Sequence, residues 1–458
     1  MFTQLRIQNF KSWADTGEFR MAPLTGFFGT NSSGKTAILQ FLLMLKQTVE
    51  SSDRNRILHL GGDQYSYVDL GTTYNISHRH KLPEKIKFAF EWRPKLINQT
   101  DISIIEQRIP LEATFKGKKI YRTKFANHSS NLRFDSEIDI DGDQIDIKSL
   151  KYSFDITHAQ NVAFSITRED NEKHPISYRL VIDGYPSEEL NNFPKLSDKH
   201  FKNYGLDSRE LSSLTLAYED LFQNTYYLAP LREYPKKTYA WSGESPQNVG
   251  KYGELTVAAL LASRKKETDV ELSVAKALKE LGLIENFRVN RIASNHGDYE
   301  ILVQKTPNSA EVLITDVGFG VSQVLPILVL CYYAPKGATL IFEQPEIHLH
   351  PSVQAGLADI FIDVIKTRNI QIIIESHSEH LLRRLQRRMA EEKDGFTNED
   401  AALYFCKMNN QGDSELVPLE IDTYGNISNY PEGFFGDEMG DLVAMTEAAI
   451  KRQMNVGA

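Results

Sequence analysis

Cysteine is scarce in this chain, with two among 458 residues. Cys331 lies in ILVLCYYA and Cys406 in ALYFCKM, both apolar, and neither has the pairing or CxxC spacing of a disulfide framework or a zinc site. They read as core residues. Long apolar runs are missing as well: none approaches the roughly 18 residues of a membrane span, and MFTQLRIQNFKSW lacks the charged-then-apolar layout of a signal peptide. A cytoplasmic protein with no membrane partner is therefore expected. A basic balance is also absent. The formal net charge of -9 argues against a surface uniformly attractive to nucleic acid. Local clusters remain at Lys116, Lys118 and Lys119, at Arg264, Lys265 and Lys266, and in RRLQRR from Arg383 to Arg388. Each reads as a solvated face before it reads as a phosphate-binding patch, which leaves DNA or RNA contact open. No heptad pattern lasts long enough for a coiled-coil arm.

What is present is an ordinary globular composition, 41% hydrophobic and 25% charged, enough for a sizeable core and two subdomains. FTQLRIQNF alternates like a strand, and APLTGFFG adds a second apolar segment running into a glycine. GTNSSGKT follows, where Gly29, Gly34, Lys35 and Thr36 fit G-x-x-x-x-G-K-[ST] between a strand and an amphipathic helix. That order lets loop N–H groups and the positive end of the helix cradle phosphates. Gly29, Asn31, Ser32, Ser33, Gly34, Lys35 and Thr36 are the candidate nucleotide-binding residues. Lys35 would reach the β- and γ-phosphates, and the Thr36 hydroxyl would coordinate magnesium. The bland alternative, a glycine turn that caps a helix, does not need this context.

From about residue 80 to 190 the texture changes to short β-type runs separated by turn residues, the pattern of an antiparallel insertion. A helical stretch from about 196 to 225 precedes a Pro-, Gly- and Tyr-rich segment in which Arg232, Gly253 and Glu254 stand out. That segment reads at least as well as a packing loop as it does as a catalytic one. Two helices are expected between 254 and about 285. In ITDVGFGVSQVLPILVLCYYA, Gly318, Gly320 and Ser322 lead into an apolar helix, again a helix N-terminus offered to an anion. GATLIFEQPEIHLHP then reads as a buried strand ending at Glu343, the place of a Walker B carboxylate that holds magnesium. Gln344 follows where a hydrolytic base is usual. His348 and His350 lie in the next loop, and two ligands without a third are a poor metal site. A final strand, IQIIIESHSEHLL, ends near His377, well placed to sense a γ-phosphate, while His380 suits a helix cap better.

Taken in order, these segments resemble the ABC-class ATPase heads of the SMC-like and overcoming-lysogenization-defect families. DVGFGVSQVLP, EQPEIHLHP, ESHSEHLL and NISNYPEGFFGDEMGDL are similar, more narrowly, to small bacterial AAA-type ATPases of anti-phage defence operons. The resemblance implies an α/β P-loop NTPase of ABC-ATPase head type with an antiparallel β-rich insertion. It also implies a head-to-head dimer or higher oligomer, in which ATP on Gly29–Thr36 of one copy is closed over by Gly318, Gly320 and Ser322 of another. Gln344 can orient water but cannot take its proton, so slow hydrolysis is expected, with Glu346 or His377 as substitutes. The nuclease-bearing relatives continue into a TOPRIM-type domain with a carboxylate cluster, whereas here only about 80 residues follow His377. A nuclease would then be a separate effector subunit, and Glu432, Asp437, Glu438 and Asp441 an acidic partner-binding or solvated patch. The expected organisation is an N-terminal part of the head over 1–80 and a β-rich insertion with a short helical segment over 81–230. The C-terminal part of the head spans 231–420, and an extension covers 421–458. The functional expectation is a slow ATPase switch controlling an effector in anti-phage defence. The alternative is a nucleotide-locked scaffold, with a transporter ATPase a weaker third.

Overall fold

The computed structural model describes residues 1–53, 56–94, 112–115, 118–121, 131–157, 160–171, 174–182, 188–190, 208–266, 268–293, 297–431, 434–435 and 438–456. The elements that carry the argument are, in chain order, β1 (Phe2–Phe10), β2 (Leu24–Gly29), α1 (Lys35–Glu50), β3 (Thr225–Leu228), α2 (Phe319–Tyr333) and β4 (Thr339–Glu343). They continue with α3 (Pro351–Arg368), β5 (Gln371–Glu375), α4 (Glu379–Ala390), β6 (Ala401–Met408), β7 (Ser414–Pro418) and α5 (Glu438–Val456).

The central sheet has the order β3-β4-β5-β2-β6-β7. Its first five strands run parallel, and only β6 with β7 is antiparallel. A parallel sheet is covered on both faces, so its strands are continuous apolar runs rather than alternating ones. β4 and β5 illustrate this. Leu340 and Phe342 point into one core while Ile341 points into another, and Ile372 and Ile374 are split from Ile373 in the same way. Helix α1 fills the second core with Ile38, Phe41, Leu42 and Leu45. Because the strands are parallel, Gly29, Glu343 and Glu375 all end at one edge of the sheet, the edge where open α/β sheets bind ligands.

Among the described residues of the stretch expected to be β-type between 80 and 190, Glu112–Phe115 and Lys118–Tyr121 pair in a separate hairpin, while six other strands join three N-terminal strands, β1 among them, in one antiparallel sheet. Its strand Glu84–Trp92 pairs directly with β1, with Phe2 opposite Trp92 and Leu5 opposite Phe90, so the β-rich segment grows out of the N-terminal strand. The strands Leu132–Asp141, Gln144–Thr157, Gln160–Asn171, His174–Ile182 and Glu188–Leu190 extend it outward. The two helices expected between 254 and 285 are Thr256–Lys265 and Val270–Glu280, and both pack on α2. The helical stretch after residue 196 is realised as Ser208–Gln223, and residues 196–207 lie outside the described residues. So do Lys116, Glu432 and Asp437, and the side chains of Glu438 and Asp441.

RRLQRR lies on α4 and is paired, not free. Arg384 and Arg388 both bond Asp359 of α3, Arg383 bonds Glu379 and Arg387 bonds Glu391. Arg264 likewise forks onto Glu271. Both cysteines are buried thiols. No helix among the described residues is long and apolar enough to cross a membrane.

Candidate functional site

The phosphate loop is shaped by glycines that no other residue could replace without strain. β2 ends at Gly29, whose φ of 137° is forbidden to side chains and whose missing Cβ would run into the Cys406 carbonyl of β6. Ser32 and Gly34 take φ of 60° and 92° and curl the chain into α1, and a Cβ on Gly34 would strike Ser414 Oγ. Trp13 Nε1 donates to the Gly34 carbonyl at 3.0 Å, and Ser33 Oγ donates to the Thr30 carbonyl at 2.8 Å. Lys35 Nζ lies over the loop, donating to Thr30 O at 2.6 Å and Gly29 O at 3.1 Å. Burial holds its ammonium below the usual lysine range, opposed chiefly by Glu375. Asn31 and Ser32 are exposed at the loop's outer rim. The first turn of α1 carries no acidic residue, leaving its positive end to an anion.

Beside the loop stands an acidic edge. Thr36 Oγ1 donates to Glu375 Oε1 at 2.8 Å, and Glu375 sits opposite Glu343 in the parallel register of β5 and β4. Tyr227, from β3, donates its hydroxyl to Glu343 Oε2 at 2.6 Å. Gln344 turns the chain with a φ of 45°, and its N–H donates to the Glu375 carbonyl at 2.8 Å. Glu346 Oε1 accepts the backbone N–H of His377 at 2.5 Å, tying the turn after β4 to the end of β5. Burial raises the carboxyls of Glu343 and Glu346. Glu375 is pushed up to about 7 by burial and by the neighbouring Glu343, against the opposing pull of Thr36 and Lys35. Burial and the nearby Lys35 lower the His377 imidazole.

Among the described residues eight buried side-chain atoms lack a hydrogen-bond partner, and four of them are Arg232 Nε, Arg232 Nη1, Glu346 Oε2 and Glu375 Oε2. Such orphans are costly in a packed core, and these four gather at one sheet edge, as polar groups left for a ligand would. The Thr36 hydroxyl with the Glu343 and Glu375 carboxylates is a hard-oxygen donor set. The unpartnered Glu375 Oε2 fits it to magnesium.

The structure brings Gly29 to Thr36, Glu343, Gln344 and His377 together, as the motifs suggest. Gly318 caps α2 instead, and Ser322 Oγ donates to the Phe319 carbonyl at 2.7 Å. Among the described residues no hydrogen bond joins Gly318, Gly320 or Ser322 to the phosphate loop of the same chain. Phe319 packs its ring between Tyr234 and His348, at 5.2 and 5.3 Å. His350 is the N-cap of α3, its Nδ1 accepting from Ser352 N at 3.3 Å. The two histidines of the HLH loop thus have separate structural roles. The expectation that His380 caps α4 needs correction: Ser378 is the cap, with its Oγ accepting from Leu381 N at 3.1 Å. A short hydroxyl side chain reaches the orphan N–H groups of a first turn, whereas His380 already lies inside the helix. Glu375 and Tyr227 are site residues that sequence reasoning missed. A signal existed for Glu375, because QIIIE ends in a carboxylate just as TLIFE does; TYYL carries none for Tyr227.

A model of the AAA ATPase domain matches residues 1–382, and a second family model, a protein of unknown function (DUF3696), matches residues 396–445. No curated protein matches. Among solved structures the chain is similar to an SMC head domain from Thermotoga maritima at 12% identity and a TM-score of 0.40, covering 92% of this chain and 99% of that one. It is similar to an SmcHead bound to the C-winged helix domain of ScpA at 11% identity and a TM-score of 0.44, covering 92% and 98%. A third is an Smc head domain with an extended coiled coil bound to the C-terminal domain of ScpA derived from Pyrococcus furiosus. It is 10% identical with a TM-score of 0.42, covering 92% and 96%. The fold class is the expected one in being an α/β ATPase domain that carries a P-loop motif and an antiparallel β-rich sheet beside its parallel sheet.

Proposed function

The chain belongs to the AAA ATPase domain family, and from that premise we propose that it is a slow ATP-hydrolysing switch. One observation carries the reading. A continuous line of contacts runs along the sheet edge, from Thr36 to the Glu375 carboxylate and from the Glu375 carbonyl to Gln344 N–H. The loop that would hold phosphates and the turn that would handle water are therefore mechanically joined.

In this reading Gly29, Asn31, Ser32, Ser33, Gly34, Lys35 and Thr36 bind the ATP phosphates, with Lys35 exchanging its loop carbonyls for phosphate oxygens. Thr36, Glu343 and Glu375 would hold magnesium, which when bound neutralises charge on the transferring phosphate. Tyr227 fixes the Glu343 carboxylate through its 2.6 Å hydrogen bond. Gln344 orients water with its amide but accepts no proton, so turnover is slow. Glu346, with one unpartnered oxygen, and His377 are the nearby groups able to take that proton.

Gly318, Gly320 and Ser322 would close over the ATP of a second copy in a head-to-head dimer. The resemblance of EQPEIHLHP and ESHSEHLL to ATPases of defence operons supports a cytoplasmic, anti-phage role in which closure controls an effector, a nuclease subunit. A second reading, a nucleotide-locked scaffold without turnover, is favoured by Gln344 itself. Steady-state ATP hydrolysis by the protein and its Lys35→Ala variant, with mass analysis with and without ATP and magnesium, separates the two. Turnover that disappears with Lys35 supports the switch. ATP-dependent assembly without turnover supports the scaffold, and turnover unchanged in Lys35→Ala rejects both.

A further inference from the structure

Arg232 is the most exceptional side chain at the site and the one to which the foregoing reading gives no task. It lies in the loop that follows β3, the strand on the far side of β4 from the phosphate loop. The residue is 5% exposed. Its one hydrogen bond among the described residues is long, from Nη2 to the Gln344 carbonyl at 3.4 Å, and both Nε and Nη1 lack an acceptor. Glu346, Tyr227 and Glu343 are the charged or ionisable groups that act on it, yet among the described residues it forms no ion pair with a carboxylate. Glu346 for its part keeps Oε2 unpartnered.

A guanidinium carries five N–H donors on a rigid plane and stays charged, so burying it with most of them idle is expensive. Such a group is retained where an anion completes it, and the planar fork suits phosphate above other anions. The geometry says where that anion comes from. Arg232 touches Gln344, Gln344 touches Glu375 and Glu375 touches Thr36, so Arg232 stands at the far end of the line that begins in the phosphate loop. A nucleotide whose first phosphates lay on Gly29–Thr36 would have its last one directed along this line.

We propose that Arg232 contacts the terminal phosphate of ATP within its own chain and makes the site distinguish ATP from ADP. This rests on the ATP-binding reading given above. The same side chain holds the Gln344 carbonyl, so its engagement by phosphate pulls on the turn from Gln344 to Glu346. Glu346 grips the His377 N–H, and the third phosphate is thereby felt on both strands of the acidic edge.

The test is calorimetric binding of Mg-ATP and Mg-ADP to the full-length protein and to Arg232→Gln, Arg232→Lys, Glu346→Gln and Lys35→Ala. Loss of a charge-assisted contact corresponds to about a tenfold or greater drop in affinity. Arg232→Gln is expected to lose that much for ATP while ADP affinity is unchanged, with Arg232→Lys intermediate. If Arg232→Gln does not fold, the ATP-to-ADP ratio of Arg232→Lys decides. An unchanged ratio in the folded variants overturns the proposal. So does recovery of stability in the Arg232→Gln/Glu346→Gln pair with the ratio intact, since the arginine would then serve only as a countercharge. The ATP reading fails in a different way, through native protein that binds neither nucleotide or through Lys35→Ala that binds like the native protein, and this proposal falls with it.

Discussion

Gln344 is held by its backbone, with its N–H on the Glu375 carbonyl, its own carbonyl taken by Arg232, and φ at 45°. Its side chain can therefore be exchanged for one of equal length without moving the turn. Gln344→Glu adds a proton acceptor where the amide has none and is expected to raise steady-state phosphate release by about tenfold or more. Unchanged release would remove Gln344 from the water-positioning role. Glu375 gives a pH dependence with a definite sign. Its folded carboxyl, at about 7, binds a proton that the unfolded chain has already released above 4.5. Its contribution to stability is thus fully present below the unfolded value and is lost as pH rises through the folded one. The loss is on the order of 3 kcal/mol. His377, with a lowered folded value, works the other way, contributing above its ordinary range and losing that contribution as pH falls. Urea unfolding at pH 5 and pH 8 without magnesium should show the native protein weakening relative to Glu375→Gln at the higher pH. A pH-independent difference between the two would contradict this account of Glu375.

At the scale of elements, α2 carries Pro326 in its interior, where the ring removes one helix hydrogen bond and needs room. That room is made by Gly253, whose φ is 81° and whose missing Cβ would lie 2.7 Å from Pro326 Cγ. Gly253→Ala combines a strained backbone with a collision and should destabilise the protein by about 1–3 kcal/mol in chemical denaturation. A change below a few tenths would show that α2 gives way. This contact also shows what could be read from the sequence and what could not. Gly29–Thr36, Glu343 and His377 were legible because each follows an apolar run whose end a sequence displays. β2, β4 and β5 were legible for the same reason, whereas β3 was not, because its YYL opens the segment read as a Pro-, Gly- and Tyr-rich loop. Gly253 against Pro326, Tyr227 on Glu343 and Arg232 on Gln344 join residues 73, 116 and 112 positions apart. Their partners become visible only once the strand order β3-β4-β5-β2 is known. The capping of α4 was misread because serine and histidine lie close together there, and only the helix start decides which of them caps it.

For the whole molecule, no hydrogen bond among the described residues joins Gly318, Gly320 or Ser322 to the phosphate loop, so in the reading proposed above the two halves of an ATP site would come from two copies. The phosphate loop lies at the end of β2, while Gly318 opens α2 with empty space around the position of a Cβ. Phe319 beside it is braced by Tyr234, which is 75% exposed, and by the exposed His348. An aromatic group held in place yet left facing solvent suits a surface that receives another copy. Gly318 has a φ of -57°, within reach of any residue, so Gly318→Glu should fold with native stability and bind ATP at native affinity. A carboxylate at that helix start would face the γ-phosphate of the partner and repel it. ATP-dependent dimerisation, followed by light scattering, should therefore be lost in Gly318→Glu while nucleotide binding persists. If dimers form as before, the segment from Gly318 to Ser322 does not close the site, and the assembly must use another face.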